Sequence, residues 1–216
     1  LNGSIKRVIY GSTTWVYSGV NELHVDENTP LHSPSHLYTA TKLTGEYYCY
    51  SYNELYGLGI TILRYGIPYG PRARDGAVVP ALVKKAINGE PLTISGDGSQ
   101  FRKFVYVEDL AEGNMLALKS IAKNRTYNLD GIERITIKEV VEMIRNIIGN
   151  VKIEYTPART GDFSGKDVSS KRAEDELGWI PKISFNEGLK KYIDWYIQRE
   201  RKREEDWKKL DDILKK

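Results

Sequence analysis

Apolar positions along the chain come in short blocks separated by glycine and proline. Arg7-Val8-Ile9-Tyr10 is short, rich in β-formers and closed by Gly11, and Ile60-Thr61-Ile62-Leu63-Arg64 repeats the pattern. Both predict buried strands. Between them, a polar stretch with Gly19, Pro30 and Pro34 predicts loop. Residues from about Ser35 to Tyr56 predict a long helix, ended by Gly57 and Gly59. Strand, helix and strand in that order predict a βαβ crossover and a parallel sheet.

Pro68, Gly70 and Pro71 then interrupt the pattern. Val78 to Asn88 predicts a helix closed by Gly89. Leu92-Thr93-Ile94 and Phe104 to Val107 predict short strands on either side of Gly96-Asp97-Gly98. A helix is expected from Glu108 to Ile121, a strand at Tyr127-Asn128-Leu129, an amphipathic helix from Thr136 to Ile148 and a strand from Val151 to Tyr155. Ser170 to Leu177, and Asn186 to the C-terminus, predict the last helices. The final one changes character near Gln198. Leu189, Tyr192, Ile193 and Tyr196 can pack inward, whereas Arg199 to Lys216 is mostly charge, with Trp207, Leu210, Ile213 and Leu214 on one side. That segment reads as a solvated extension or as a helix for a partner.

Composition narrows the classes. Of 216 residues, 40% are hydrophobic and 28% charged, as in ordinary globular proteins. A net charge of +3 is too small to argue for nucleic acid or membrane as a partner. No apolar run approaches the ~18 residues of a bilayer span. The lone Cys49 can form no internal disulfide and reads as a packed helix residue. With no secretory apolar core at the start, the expected location is cytoplasmic. The chain opens on Leu1 and enters a strand almost at once, which reads as a fragment of a longer protein. No metal site is expected.

The chemistry centres on Tyr38-Thr39-Ala40-Thr41-Lys42. On a helix, positions i and i+4 share one face. A tyrosine phenol titrates near ~10 and is a poor base at neutral pH, but a neighbouring ammonium favours the phenolate. Such a pair can transfer protons near neutrality. Upstream, Tyr10-Gly11-Ser12-Thr13-Thr14-Trp15-Val16-Tyr17 lies at the C-terminal end of the first strand, the edge where open α/β sheets bind ligands. A hydroxyl there either holds a substrate oxygen against the tyrosine or only satisfies backbone groups in a turn.

Strand, Ser/Thr cluster, Val-Tyr, proline loop and Tyr-x-x-x-Lys together resemble the extended short-chain dehydrogenase/reductase family, the NAD-dependent epimerase/dehydratases, and most of all UDP-glucose 4-epimerase-like members. Further motifs agree in order across about residues 5–196. They are Leu63-Arg64-Tyr65 with Tyr69-Gly70-Pro71-Arg72, Glu90 to Ile94, Gly96 to Arg102, Phe104 to Glu112, Pro157 to Asp162, and Glu176 to Pro181. The resemblance implies an α/β fold: the C-terminal part of a Rossmann-like doubly wound parallel sheet plus a smaller α/β substrate-binding domain. Residues 1–65 would be the remnant of the NAD(P)-binding domain, 66–197 mainly the nucleotide-sugar region with segments returning to the sheet, and 198–216 a charged helical extension.

It also implies roles. Thr13 matches the catalytic Ser/Thr, Tyr38 the general acid or base, and Lys42 the lysine that binds the cofactor ribose. Ser12 and Tyr65 match positions beside the cofactor. Arg102 and Arg159 match arginines that grip the substrate diphosphate, a task suited to the planar guanidinium fork. Leu92, Thr93 and Ile94 match the segment along the nucleotide base. The implied cofactor is NAD, with NADP left open. The implied partners are a nucleotide sugar and a second copy of the chain, paired through the helix of Tyr38. Tyr47, Tyr48, Tyr50 and Tyr52 suit that interface or the core.

Departures from the family pattern matter. Gly66-Ile67 stands where many members have Phe-Asn, and Lys103 where an Asp is common. Thr14-Trp15 replaces the Asp-Glu or Ser-Glu that follows the catalytic Thr in sugar-nucleotide dehydratases and decarboxylases, which leaves 4-epimerisation as the leading expectation and reductase, dehydratase or decarboxylase chemistry as alternatives. No Gly-x-x-Gly-x-x-Gly occurs in these residues. The family's pyrophosphate loop is therefore expected outside them, with an inactive truncated fragment as the further alternative and Arg7–Tyr10 as an exposed sheet edge.

Overall fold

A computed structural model describes residues 5–34, 36–149, 151–158 and 165–214, the last six without their side chains. Arg159, and the side chains of Leu210, Ile213 and Leu214, therefore lie outside the described residues.

Strand β1 (Arg7–Thr13) leads through a single 3-10 turn at Thr14–Tyr17 to the short β2 (His24–Val25) and then to α1 (Leu37–Tyr56). His36 caps α1 by accepting from the Tyr38 amide, and Gly57 ends it in the left-handed conformation (φ 63°). Strand β3 (Gly59–Tyr65) pairs parallel with β1, and β7 (Arg125–Leu129) pairs parallel with the far side of β3. This is the βαβ crossover that the sequence predicts, and β1 and β7 are the two edge strands of the three.

Alternation along the strands clothes both sheet faces. Ile60 and Ile62 pack with Cys49 of α1, next to Val8 and Tyr10. Leu63, Tyr127 and Leu129 face the other way, onto Leu110 of α3 (Val107–Leu116) and onto Ala173 and Leu177 of α5 (Lys171–Leu177). A parallel sheet with helices on both faces is the doubly wound arrangement.

A second set of elements builds the other wall of the cleft. Here β4 (Ile67–Tyr69) pairs parallel with β6 (Phe101–Tyr106), which pairs antiparallel with β8 (Arg134–Thr136). Strand β5 (Leu92–Ser95) pairs parallel with β9 (Ile153–Thr156). Helices α2 (Val78–Ile87), α4 (Ile137–Ile148) and α6 (Phe185–Leu214) cover them. Val83, Leu92, Ile94, Val140, Ile144, Leu189 and Tyr192 form one core there, each at most 1% exposed. Strand β10 (Asp167–Val168) joins β2 in a two-stranded pair. No described helix is long and apolar enough to cross a membrane.

Several expectations need correcting. The helix expected to reach Ile121 ends at Leu116, where the amides of Leu118 and Lys119 switch to carbonyls three residues back. The Arg7 guanidinium takes the carbonyls of Ala117, Leu118 and Lys119 at 2.8–3.2 Å, which fixes that end. The strand expected at Phe104 starts at Phe101, so Arg102 and Lys103 lie on β6, and Val107 already begins α3. The tyrosines of α1 are not core: Tyr47, Tyr48, Tyr50 and Tyr52 are all exposed. Cys49 is buried, as expected.

Candidate active site

The C-terminal ends of β1 and β3, the start of α1 and the β4–β6 wall enclose a cleft of about 1280 Å³. Thr13, Trp15, His36 and Tyr38 line one end, Thr93, Ser95, Gln100 and Arg102 another, and Gly66 to Arg74, with Gly76, the wall between.

Thr13 is the last residue of β1 and caps the 3-10 turn. Its Oγ1 accepts from the Trp15 amide at 3.2 Å, which leaves the hydroxyl proton to be donated into the cleft. Tyr38 stands in the first turn of α1, 47% exposed, and its phenol makes no hydrogen bond to a described residue. Lys42, one turn on, places its ammonium 5.9 Å from the Tyr38 ring centroid and 5.5 Å from that of Tyr10. The ammonium donates to the Gly11 carbonyl at 2.9 Å. An ammonium carries three donors, so two remain for a ligand. Thr13 and Tyr38 thus line one cleft at the sheet's ligand edge, with the Lys42 ammonium near the Tyr38 ring.

The other expected positions divide. Ser12 does not line the cleft. Strand alternation turns it toward α1, where its hydroxyl donates to Glu46 Oε1 at 2.5 Å. The Tyr65 hydroxyl donates to Asn114 Oδ1 at 2.7 Å, its ring edge lies against Gly11, and burial pushes its phenol upward in pKa. Of Leu92, Thr93 and Ile94, only Thr93 reaches the cleft. Leu92 and Ile94 are fully buried core, because the strand sends alternate residues to opposite faces. Arg102 lines the cleft and donates to the Phe101 carbonyl at 2.7 Å. Arg159 lies outside the described residues.

Residue-level reading of the sequence missed a scaffold behind the site. Glu46, one turn beyond Lys42, accepts from Arg64 Nε at 3.0 Å and Nη2 at 2.6 Å. Arg64 Nη1 also donates to the Tyr17 hydroxyl at 2.7 Å. Burial alone would lower the guanidinium's pKa, but these partners outweigh it and raise it, holding the group charged. Sequence spacing offered one clue, a carboxylate at i+4 from Lys42 on a face that should be apolar. Arg72 was also missed as a lining residue. It is exposed on the cleft wall at φ 66°, which is uncommon outside glycine. Among the described residues no group of three or more His, Cys, Asp or Glu could hold a metal ion.

Comparison with known proteins gives the family. Residues 2–130 match the model of the NAD dependent epimerase/dehydratase family. A UDP-glucuronate 4-epimerase of Thermodesulfobacterium geofontis is 34% identical over 197 residues, covering 88% of this chain and 59% of that protein. The crystal structure of UDP-glucose 4-epimerase from Thermotoga maritima with UDP-glucose superposes with a TM-score of 0.86 at 30% identity, covering 91% of this chain and 65% of that one. A dTDP-glucose 4,6-dehydratase of Streptomyces venezuelae with NAD bound superposes with a TM-score of 0.83 at 27% identity, covering 89% of this chain and 60% of that one. The chain spans about three fifths of the length of the curated relatives it matches.

Proposed function

The chain belongs to the NAD dependent epimerase/dehydratase family, and from that premise we propose that the whole protein is an NAD-dependent nucleotide-sugar 4-epimerase. The observation that carries the reading is that Thr13 and Tyr38 line one cleft while the Lys42 ammonium stands 5.9 Å from the Tyr38 ring.

The residues present suit a dinucleotide. Lys42 keeps two donors for ribose hydroxyls, and Tyr38 stands beside it, open to the cleft. Lys42 would hold NAD by its ribose, and the bound cofactor would supply reversible hydride transfer with the sugar. Tyr38 takes the proton of the sugar 4-hydroxyl as the carbonyl forms and returns it when the carbonyl is reduced from the opposite face, so atoms and charge balance over the cycle. Thr13 donates to the same oxygen and holds it against the phenol. Arg102 grips the diphosphate, a role assigned to Arg159 on its motif alone, and Thr93 borders the base. On this reading residues 1–65 carry the cofactor side of the cleft and 66–197 mainly the substrate side.

Dehydratase relatives make 4,6-dehydration the second reading. That reaction needs an acid to expel water, and the one carboxylate among the described lining residues is Glu108, at the start of α3, whereas Thr14 and Trp15 follow Thr13. This favours epimerisation. The test is turnover of UDP-glucose, UDP-galactose and UDP-glucuronate by the full-length protein. Inverted product of unchanged mass is expected, and Tyr38→Phe should lose on the order of 100-fold or more in kcat, the usual contribution of a positioned acid–base group. Product lighter by one water would establish the dehydratase instead, and full activity in Tyr38→Phe would overturn the mechanism.

A further inference from the structure

Lys42 is held from below by two consecutive residues of β1. Gly11 offers its carbonyl to the ammonium at 2.9 Å. Tyr10 offers the face of its ring, 5.5 Å from Nζ to the centroid, which is within cation–π range. The same phenol donates to the Lys42 backbone carbonyl at 3.2 Å, so one tyrosine touches both ends of the lysine.

Tyr10 can do this only because α1 carries a notch. Gly45 lies inside the helix, three residues after Lys42, where glycine is destabilising relative to alanine. A Cβ at Gly45 would stand 2.1 Å from the Tyr10 hydroxyl oxygen and 2.3 Å from Cζ. The glycine therefore has a steric purpose: it admits the ring beneath Lys42. Glu46, the next residue, ties the same turn of α1 to Ser12 and Arg64, so the notch cannot slide along β1.

We propose that Tyr10, seated in the Gly45 notch, is a positioning residue that fixes the Lys42 ammonium beside Tyr38. The inference deepens the proposed function and rests on it for its catalytic meaning, but its structural content is testable without turnover. A lysine free to rotate would spend part of its time turned to solvent and away from Tyr38. The ring and the Gly11 carbonyl leave it one seat.

Amine acetylation of the full-length protein, read residue by residue by mass spectrometry, tests the seat. Lys42 should react roughly two- to five-fold faster in Tyr10→Leu than in the wild type, the change expected on losing a partly exposed cation–π contact. Gly45→Ala, which evicts the ring, should do the same, and Tyr10→Phe, which keeps the ring, should stay near the wild type. Lys103, 13% exposed and bonded to the Val168 carbonyl, serves as the internal control and should not change. General loosening of the fold would expose both lysines together and count against the proposal. Should Tyr10→Leu fail to fold, the contrast between Gly45→Ala and Tyr10→Phe decides. In turnover, Tyr10→Leu should lower kcat with the KM for nucleotide sugar unmoved, and Tyr10→Phe should recover most of it. Equal Lys42 acetylation in all four proteins overturns the seat. Absence of turnover in the wild type overturns the epimerase reading and leaves the acetylation result standing.

Discussion

Asp130 is a carboxyl group almost wholly withdrawn from the surface. It follows β7, is 3% exposed, and accepts the Gly131 amide at 2.9 Å through Oδ1. That oxygen lies where a side chain on Gly66 would begin, 2.1 Å from the Cβ position, so Gly66 is small because Asp130 is there. Two of the departures from the family pattern, Gly66 and Lys103, thereby share one cause: one gives the carboxyl room and the other faces it with positive charge. Burial pushes Asp130 up to about 7, against the opposing pull of Lys103 and the Gly131 amide, and Asp167 adds to the rise. The folded state therefore binds this proton more tightly than the unfolded chain does. Its stabilising effect is complete below the ordinary value of 3.8 and is lost as pH climbs toward about 7. Between those limits Asp130→Asn should show a flatter dependence of melting temperature on pH than the wild type, and parallel curves would refute the assignment. A proton-binding group of this kind was invisible in the sequence, because Asp-Gly after a strand reads as an ordinary turn. Tyr38 and Lys42 were legible as a pair because i and i+4 share one helix face, whereas Thr13 stood out from Ser12 and Thr14 only through the resemblance to the family.

At the scale of elements, the site depends on how firmly α1 is held to the sheet. The helix offers little apolar surface inward, with Leu43 and Cys49 beside the polar Thr39 and Glu46. A buried ion pair, Arg64 with Glu46, crosses from β3 to α1, and its side chains are 4% and 1% exposed. Such a pair adds little net stability over an apolar pair of similar volume, yet breaking it strands a charge. Arg64→Met should therefore cost about 3–5 kcal/mol. The double variant Glu46→Gln/Arg64→Met should be more stable than Arg64→Met alone, as read by denaturant unfolding. If the two variants are equally unstable, Glu46 is not left stranded, and α1 is held by other contacts. Elements with strong punctuation were readable. β3 carries the β-branched run Ile60-Thr61-Ile62 and is bounded by Gly59 and Gly66, and α4 opens on a Thr136/Glu139 capping box. The strands that escaped, β2, β4, β8 and β10, have two or three residues each, and β4 contains Pro68. At that length pairing is set by distant partners such as β6, and no local period exists to be read.

At the scale of the whole molecule, α1 has a second face. Tyr48, Tyr52, Leu55 and Tyr56 fall at i, i+4, i+7 and i+8, one stripe of a helix, and are 65%, 43%, 70% and 59% exposed. The Tyr52 and Tyr56 rings lie 5.4 Å apart along it. A contiguous aromatic stripe is unusual on a surface that faces only water, and tyrosine is enriched where proteins meet. A helix stripe of this kind can pack on itself about a two-fold axis, a residue at one end of the stripe meeting one at the other end on the second copy. We propose a homodimer packed through this face. Its consequence for chemistry follows from what α1 carries: Tyr38 and Lys42 stand on the turns just before the stripe, so a second copy would clamp the helix from outside while Glu46 and Tyr10 hold it from within. Tyr48→Glu/Tyr52→Glu places like charges at the centre of the contact. Sedimentation of the full-length protein should show a dimer for the wild type and a monomer for the double variant, with little loss in unfolding stability, since neither ring is part of the core. A wild type that sediments as a monomer at tens of micromolar, or a double variant that remains dimeric, assigns the stripe to another contact and leaves α1 held by its buried face alone.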